Sequence, residues 1–410
     1  MTKHPFLRWL LLGTALLGRV AWSAEPPAPP NTAVDEFHFV VLGDSQFDDP
    51  VAANRLYDDI RWLQPAFVIQ VGDMIGGYGS PTLLRAEWQR FRRQLAGLTA
   101  AGIPFLPVPG NHDVFGPGKA PDAESLAIYE AEWGSAYYDF RYRNTHFIVL
   151  NSDPVGADND LDADQLRWLE ERLEAAASAT HRLVLLHRPP AFLGASDRFH
   201  ELMVDHAVSH VFYGHHHHYH QRERDGVTYV MTNGTGNSGT RIDRAGSFDH
   251  LLQVSVRDDQ LDYAIVRADA IEAPGFAVPE DNYELFGLQR NLSRLKPELI
   301  PEAGTGDEPR RFSTRLEFSN PSRRTVTLHV HCTSADERYR FEPARLKPLE
   351  LPPKEARTLP LTVIEQQPSE ATPNCSVQFP FQTHDGRWHL PEVVVELNLP
   401  SAESEAQPGG

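Results

Sequence analysis

Residues 37–47 read FHFVVLGDSQF, an apolar run broken by a glycine, then Asp44 and, two positions later, Gln46. The run has the length and composition of a short buried strand. Gly43 permits a sharp turn out of it, so a carboxylate is presented at the strand's carboxyl end. The same grammar recurs along the chain. VIQV leads to Gly72-Asp73, FLPVP to Gly110-Asn111-His112-Asp113, LVLL to His187, and HVFY to Gly214-His215-His216-His217. In open α/β sheets, ligands bind beyond the carboxyl ends of the strands. A single Gly-Asp after a strand is more often a turn, and a single His at a strand end is more often structural. Five strand ends that deliver Asp, Gln, Asp, Asn and three His to one rim describe a polynuclear metal site.

Between these strands lie helical stripes. Asp49-Pro50 and Ser80-Pro81 open helices with proline at the first helical position. Leu56, Ile60 and Leu63 share a face of the first, and Leu84, Trp88, Phe91, Leu95 and Leu98 a face of the second. Asp162 and Gln165 fit a capping arrangement ahead of a helix carrying Leu166, Leu169 and Leu173. Strand–helix alternation from 36 to 270 predicts a layered α/β domain. Residues 271–306, with EAPGFAVPEDN and PEAGTGDEP, read as an irregular connecting segment. From 307 to 399 short alternating strands separated by NPS, PPK and HDG turns predict a small all-β, immunoglobulin-like sandwich. Cys332 and Cys375 fall on inward faces of two of those strands, where either a disulfide or two buried thiols would fit.

The 410 residues suit two domains, and the net charge of -18 is the wrong sign for a general nucleic-acid binder. Residues 1–24 have the pattern of a secretory signal peptide: Lys3 and Arg8, the apolar WLLLGTALLG, then small residues in AWSA. Residues 25–35 form an extended spacer and 400–410 an unstructured tail. These features predict an exported chain, periplasmic or secreted, with no membrane span once the leader is removed.

The ordered set GDSQ, GD, GNHD, LLH and GHHH resembles the calcineurin-like metallophosphoesterase superfamily, over residues 36–270. The resemblance implies a four-layer αββα sandwich and a dinuclear centre for phosphoric-ester hydrolysis. One metal would be held by Asp44, Gln46, Asp73 and His217, and the other by Asp73, Asn111, His187 and His215, with Asp73 bridging. A hydroxide shared by the two ions would be the nucleophile. His112 would stand beside the substrate as proton donor without binding metal. Asp113 either orients His112 or is a turn residue. Asp153 and Arg188 are further candidates to line the pocket, and only His215 and His217 of the HHHHYH run have motif support. His216, His218 and His220 are left to point outward or to take up stray metal. The glycine-rich stretch at 232–239 lacks the pattern of a nucleotide P-loop and is expected to border the site.

Most members carry Asp-x-His at the first motif. Gln46 departs from this and resembles the Asp-x-Gln branch, which includes manganese-dependent diphosphatases. An amide oxygen is a harder ligand than an imidazole nitrogen, which favours Mn²⁺ or Fe over Zn²⁺. The alternative is that Gln46 only forms hydrogen bonds beside a weakened first site. The expected substrate is a phosphorylated small molecule or a phosphodiester, with a diester or pyrophosphate favoured and a monoester as the alternative. A binding or scaffold protein that keeps the fold without turnover is the competing class.

Overall fold

The computed structural model describes residues 36–46, 50–157, 159–236, 242–267, 270–303, 309–369, 371–384, 386–389 and 392–398. The expected signal peptide, spacer and tail lie outside them. No helix among the described residues is long and apolar enough to cross a membrane.

Strand β1 (Glu36–Leu42) sets the layering. Successive side chains of a strand point to opposite faces, so Phe37, Phe39 and Val41 enter one apolar cluster while Val40 and Leu42 enter another. The chain continues through α1 (Pro50–Leu63), β2 (Val68–Val71), α2 (Pro81–Gln94), α3 (Ala96–Ala100), β3 (Phe105–Val108), the single turn α4 (Asn111–Val114) and α5 (Ala123–Trp133). Next come β4 (Tyr138–Tyr142), β5 (Thr145–Val149), α6 (Ala163–Ala175), β6 (His181–Leu185), α7 (Ser196–Asp205) and β7 (His210–Tyr213). Two hairpins follow, β8 (His220–Arg224) with β9 (Val227–Met231) and β10 (His250–Arg257) with β11 (Gln260–Arg267), and then β12 (Ile271–Glu272).

These strands form two six-stranded sheets, ordered β12-β11-β10-β1-β2-β3 and β4-β5-β6-β7-β9-β8. β1, β2 and β3 are parallel in the first, and β5, β6, β7 and β9 are parallel in the second. Three apolar clusters separate four layers. Phe39, Phe67, Phe147 and Phe212 lie between the sheets. Leu56, Trp88 and Tyr129 from the first helices pack on the outer face of the first sheet. Leu169, Phe199 and Met203 pack on the outer face of the second. This is the αββα sandwich.

Ser80 and Asp162 cap α2 and α6 by accepting from the amides of Leu83 (3.4 Å) and Gln165 (2.8 Å). The side chain of Gln165 does not reach back to complete a capping box. Its amide instead pairs with both backbone groups of Asn151, at 2.7 and 2.8 Å, which ties α6 to the end of β5.

The segment 271–306 is not irregular throughout: it contains α8 (Pro279–Ser293). Pro279 sits in its first turn with Glu280 and Asp281, which favours initiation, and Leu285, Leu288 and Leu292 form one buried stripe. Flanking Pro and Gly masked a stripe only two turns long. Beyond it run β13 (Ile300–Pro301), β14 (Arg310–Ser319), β15 (Val326–Thr333), β16 (Tyr339–Glu342), β17 (Leu349–Leu351), β18 (Ala356–Glu365), β19 (Asn374–Gln378), the β20 (Pro380–Thr383) and β21 (Gly386–His389) hairpin, and β22 (Val393–Glu396). They form two four-stranded sheets, β13-β14-β18-β16 and β17-β15-β19-β22. Phe312, Leu328, Val363 and Val377 share one core with the α8 stripe. Cys332 and Cys375 face each other across β15 and β19 and are joined as a disulfide.

Candidate metal centre

Each ligand-type residue stands at the carboxyl end of a parallel strand. Asp44 and Gln46 follow β1, Asp73 follows β2, and Asn111 follows β3. His187 follows β6, and His215 and His217 follow β7. The first sheet therefore supplies acids and amides, the second supplies imidazoles, and the two meet at one rim. Asp73, His215 and His217 have φ of 52°, 78° and 56°. Non-glycine residues rarely adopt left-handed backbone, and such strain gathers at functional sites. Gly72 is required here: its φ is 92°, and a Cβ would lie 2.4 Å from His187 Nδ1.

Two triads of ligand atoms emerge, Asp44, Asp73 and His217, and Asp73, His187 and His215, each with its atoms within 4.8 Å of one another. Asp73 belongs to both. Its Oδ1 accepts from the His112 amide at 2.9 Å, which aims Oδ2 inward, 3.2 Å from His187 Nε2. His187 Nδ1–H donates to the Val71 carbonyl (2.9 Å), so Nε2 faces the centre beside Asn111 Oδ1 at 3.0 Å. Ligating histidines are commonly oriented by such a carbonyl. His215 Nε2 accepts from Arg188 Nη1 (2.9 Å), which leaves Nδ1 3.2 Å from His187 Nε2. His217 Nε2 lies 3.4 Å from Asp44 Oδ1.

Gln46 joins the first triad. Its Nε2 is 3.2 Å from Asp73 Oδ2 and 2.9 Å from His217 Nε2, and its buried Oε1 has no hydrogen-bond partner. A buried acceptor without a donor is costly. Turned over, the amide would present this oxygen to Asp73 and His217 in place of Nε2, a donor set that fits a divalent cation.

The electrostatics follow from crowding. Burial raises the Asp73 carboxyl, but His187, with His112 and His215, outweighs it and holds the group below the ordinary carboxylate range. Burial alone would depress His187, yet Asp73 and Asp44 drive it up to about 9. His215 is depressed to about 2 by burial and by the charges of His187 and Arg188. The acceptors that hold a proton on His187 are the same field a cation would feel.

His112 stands apart from the triads, with Nε2 3.9 Å from Asp73 Oδ2. Asp113 does not orient it. The Gly76 carbonyl does, accepting from Nδ1 at 2.6 Å. Asp113 is a brace: its carboxylate accepts from the amides of Met74 (2.9 Å), Ile75 (3.3 Å) and Gly110 (2.9 Å), tying the β2 and β3 loops together. Burial, then the charge of Asp73, pushes it up to about 8 against those amides. Asp153 and Arg188 form an ion pair at 3.0 Å beside His215, so Arg188 reaches the rim already partnered. Tyr78 was not singled out from the sequence. Its hydroxyl accepts from Asn111 Nδ2, its ring lies 4.3 Å from that of His112, and burial raises its phenol to about 12. An aromatic inside GGYGS, just past a strand-end Asp, was the available signal. The Thr235 and Gly236 amides donate to the Asp44 carbonyl at 3.0 and 2.7 Å, so this part of the glycine-rich stretch does border the site. His218 and His220 are buried rather than outward-facing, and neither joins a ligand cluster among the described residues.

The family model for calcineurin-like phosphoesterase matches residues 37–219. Over these residues the chain is similar to calcineurin-like phosphoesterases. The match and the phosphatase-named relatives support a phosphoric ester hydrolase. The chain is 28% identical over 216 residues to serine/threonine-protein phosphatase CPPED1 of Danio rerio, covering 47% of this chain and 68% of the relative. It is 28% identical over 145 residues to a probable cyclic nucleotide phosphodiesterase of Synechococcus sp., covering 35% and 50%. A crystal structure of a dimetal phosphatase from Danio rerio superposes with a TM-score of 0.43 at 15% identity, covering 58% and 98%.

Proposed function

We propose that this is an exported metal-dependent hydrolase that cleaves a phosphodiester or pyrophosphate at a dinuclear centre, with Mn²⁺ or Fe favoured. The observation that carries the reading is the pair of triads sharing Asp73, with the side-chain amide of Gln46 beside the first. Asp44, Gln46, Asp73 and His217 would hold one cation, and Asp73, Asn111, His187 and His215 the other. Two divalent cations so held would supply positive charge to clamp the phosphoryl group and to activate water. Asp73, kept as a carboxylate, would be shared by both sites and would offset their charge. His112 is fixed through Nδ1 by Gly76, so in its cationic form Nε2 holds the proton that the departing ester oxygen needs. Tyr78 keeps Asn111 and His112 in register. The secretory pattern of residues 1–24 supports export.

A phosphomonoesterase is the second reading, favoured by the name of the Danio rerio relative, while the Synechococcus relative's name favours a diester. The deciding experiment uses metal-stripped protein refilled with Mn²⁺ on bis(p-nitrophenyl) phosphate and on p-nitrophenyl phosphate. The proposal expects Mn²⁺-dependent turnover with the diester preferred. Turnover of the monoester alone rejects the diesterase assignment, and turnover of neither favours a non-catalytic binding protein.

A further inference from the structure

The loops that carry the ligands also wall a second space. After His187 the chain runs on to Phe192, before His215 it leaves Tyr213, and after His217 it reaches His220. These stretches, with Tyr283 of α8, enclose a cavity of about 240 Å³. Pockets that engulf a whole small ligand run to roughly 300–1,000 Å³, so this one suits a single ring system of a larger substrate. Phe192 and Tyr283 are 53% and 43% exposed, and exposed aromatics gathered at one cavity mark an interaction site more often than singly scattered ones do. The His216 ring faces both, 5.7 Å from Phe192 and 6.5 Å from Tyr283, and lies 5.2 Å from the ring of His215. The aromatic side chains at this cavity thus connect through His216 to the neighbourhood of the second triad. Deeper in, Tyr213 Oη and His220 Nε2 are 3.2 Å apart.

Three consecutive residues of α8 explain how Tyr283 is placed. Asp281, fully buried, accepts from Arg324 Nη1 (2.6 Å) and the His384 amide (2.8 Å) of the C-terminal sheets. Asn282 donates through Nδ2 to the Ala245 carbonyl of the first domain. Tyr283 then comes to the cavity between them. We infer that this cavity is a subsite for a flat aromatic group carried on an ester oxygen of the substrate, stacked between Phe192 and Tyr283. The inference rests on the phosphodiester reading. Aromatic walls stack planar rings with little regard to their edges, so a nucleobase is the class of group they suit. The C-terminal sheets then act on specificity, because they anchor the helix that presents Tyr283.

The test uses two diesters that both expel p-nitrophenolate: the p-nitrophenyl ester of thymidine 5′-phosphate and methyl p-nitrophenyl phosphate, on the full chain refilled with Mn²⁺. The wild type is expected to favour the thymidine ester in kcat/KM by about tenfold, in line with one base–aromatic stack. Tyr283→Ala and Phe192→Ala each shrink that ratio severalfold through KM, and Tyr283→Phe keeps it. A wild-type ratio near one, or a ratio unchanged in both alanine variants, overturns the subsite. Where neither ester turns over, calorimetric binding of thymidine 5′-monophosphate against methyl phosphate still decides. A ring preference that is lost in Phe192→Ala upholds the subsite and rejects the diesterase reading, whereas no ring preference overturns the subsite.

Discussion

Gln46 is the residue on which the chemistry of this centre turns. Its Nε2 faces Asp73 Oδ2 and His217 Nε2 while its Oε1 is buried without a donor. The two ends of an amide differ little in shape, so turning it over presents the oxygen to the same neighbours and completes a hard, oxygen-rich first position. Gln46→His replaces that oxygen by nitrogen, and we expect the preference to move from Mn²⁺ toward Zn²⁺. A competition titration of the two metals reads this directly, and an unchanged ratio means that Gln46 stays off the metal. Asp44, Asp73, Asn111, His187, His215 and His217 were legible because each is among the first polar residues after an apolar run. Tyr78 and the Arg188–Asp153 pair were not, because their partners come from other strands and no local period records them.

At the scale of elements, the centre depends on two loops held in register. The single turn α4 and the loop after β2 are joined by Asp113, which no solvent reaches and which accepts from three backbone amides. Asp113→Ala leaves those amides buried and unpaired, with an expected loss of about 2 kcal/mol or more, measured by urea unfolding. Asp113→Asn keeps the shape and one acceptor and loses less. Equal stability of all three proteins would remove the brace. The layered α/β order was readable from apolar strand runs alternating with helical stripes, and its four-layer form from the family resemblance, whereas the brace was not: a strand-end Asp next to His112 reads equally as an orienting carboxylate. Helix α8 escaped for a different reason. Its Leu285, Leu288 and Leu292 stripe is short, set between Pro and Gly turns, and is made helical by packing against both domains rather than by propensity.

For the whole molecule, the C-terminal sheets are stapled by Cys332–Cys375, a bridge spanning 43 positions. In the chain-entropy model such a loop contributes about 4 kcal/mol. The double variant Cys332→Ser/Cys375→Ser is therefore expected to melt its C-terminal transition well below the wild type by calorimetry, and coincident melting would contradict this. The proposed chemistry of the whole molecule depends on two cations sharing Asp73. The most direct measurement is Mn²⁺ per chain, by elemental analysis after refilling and desalting, for the wild type and for Asp73→Asn. Two ions per chain are expected in the wild type, and the loss of both on losing the shared carboxylate. A wild type that retains one ion or none, or an Asp73→Asn variant that retains two, would contradict this.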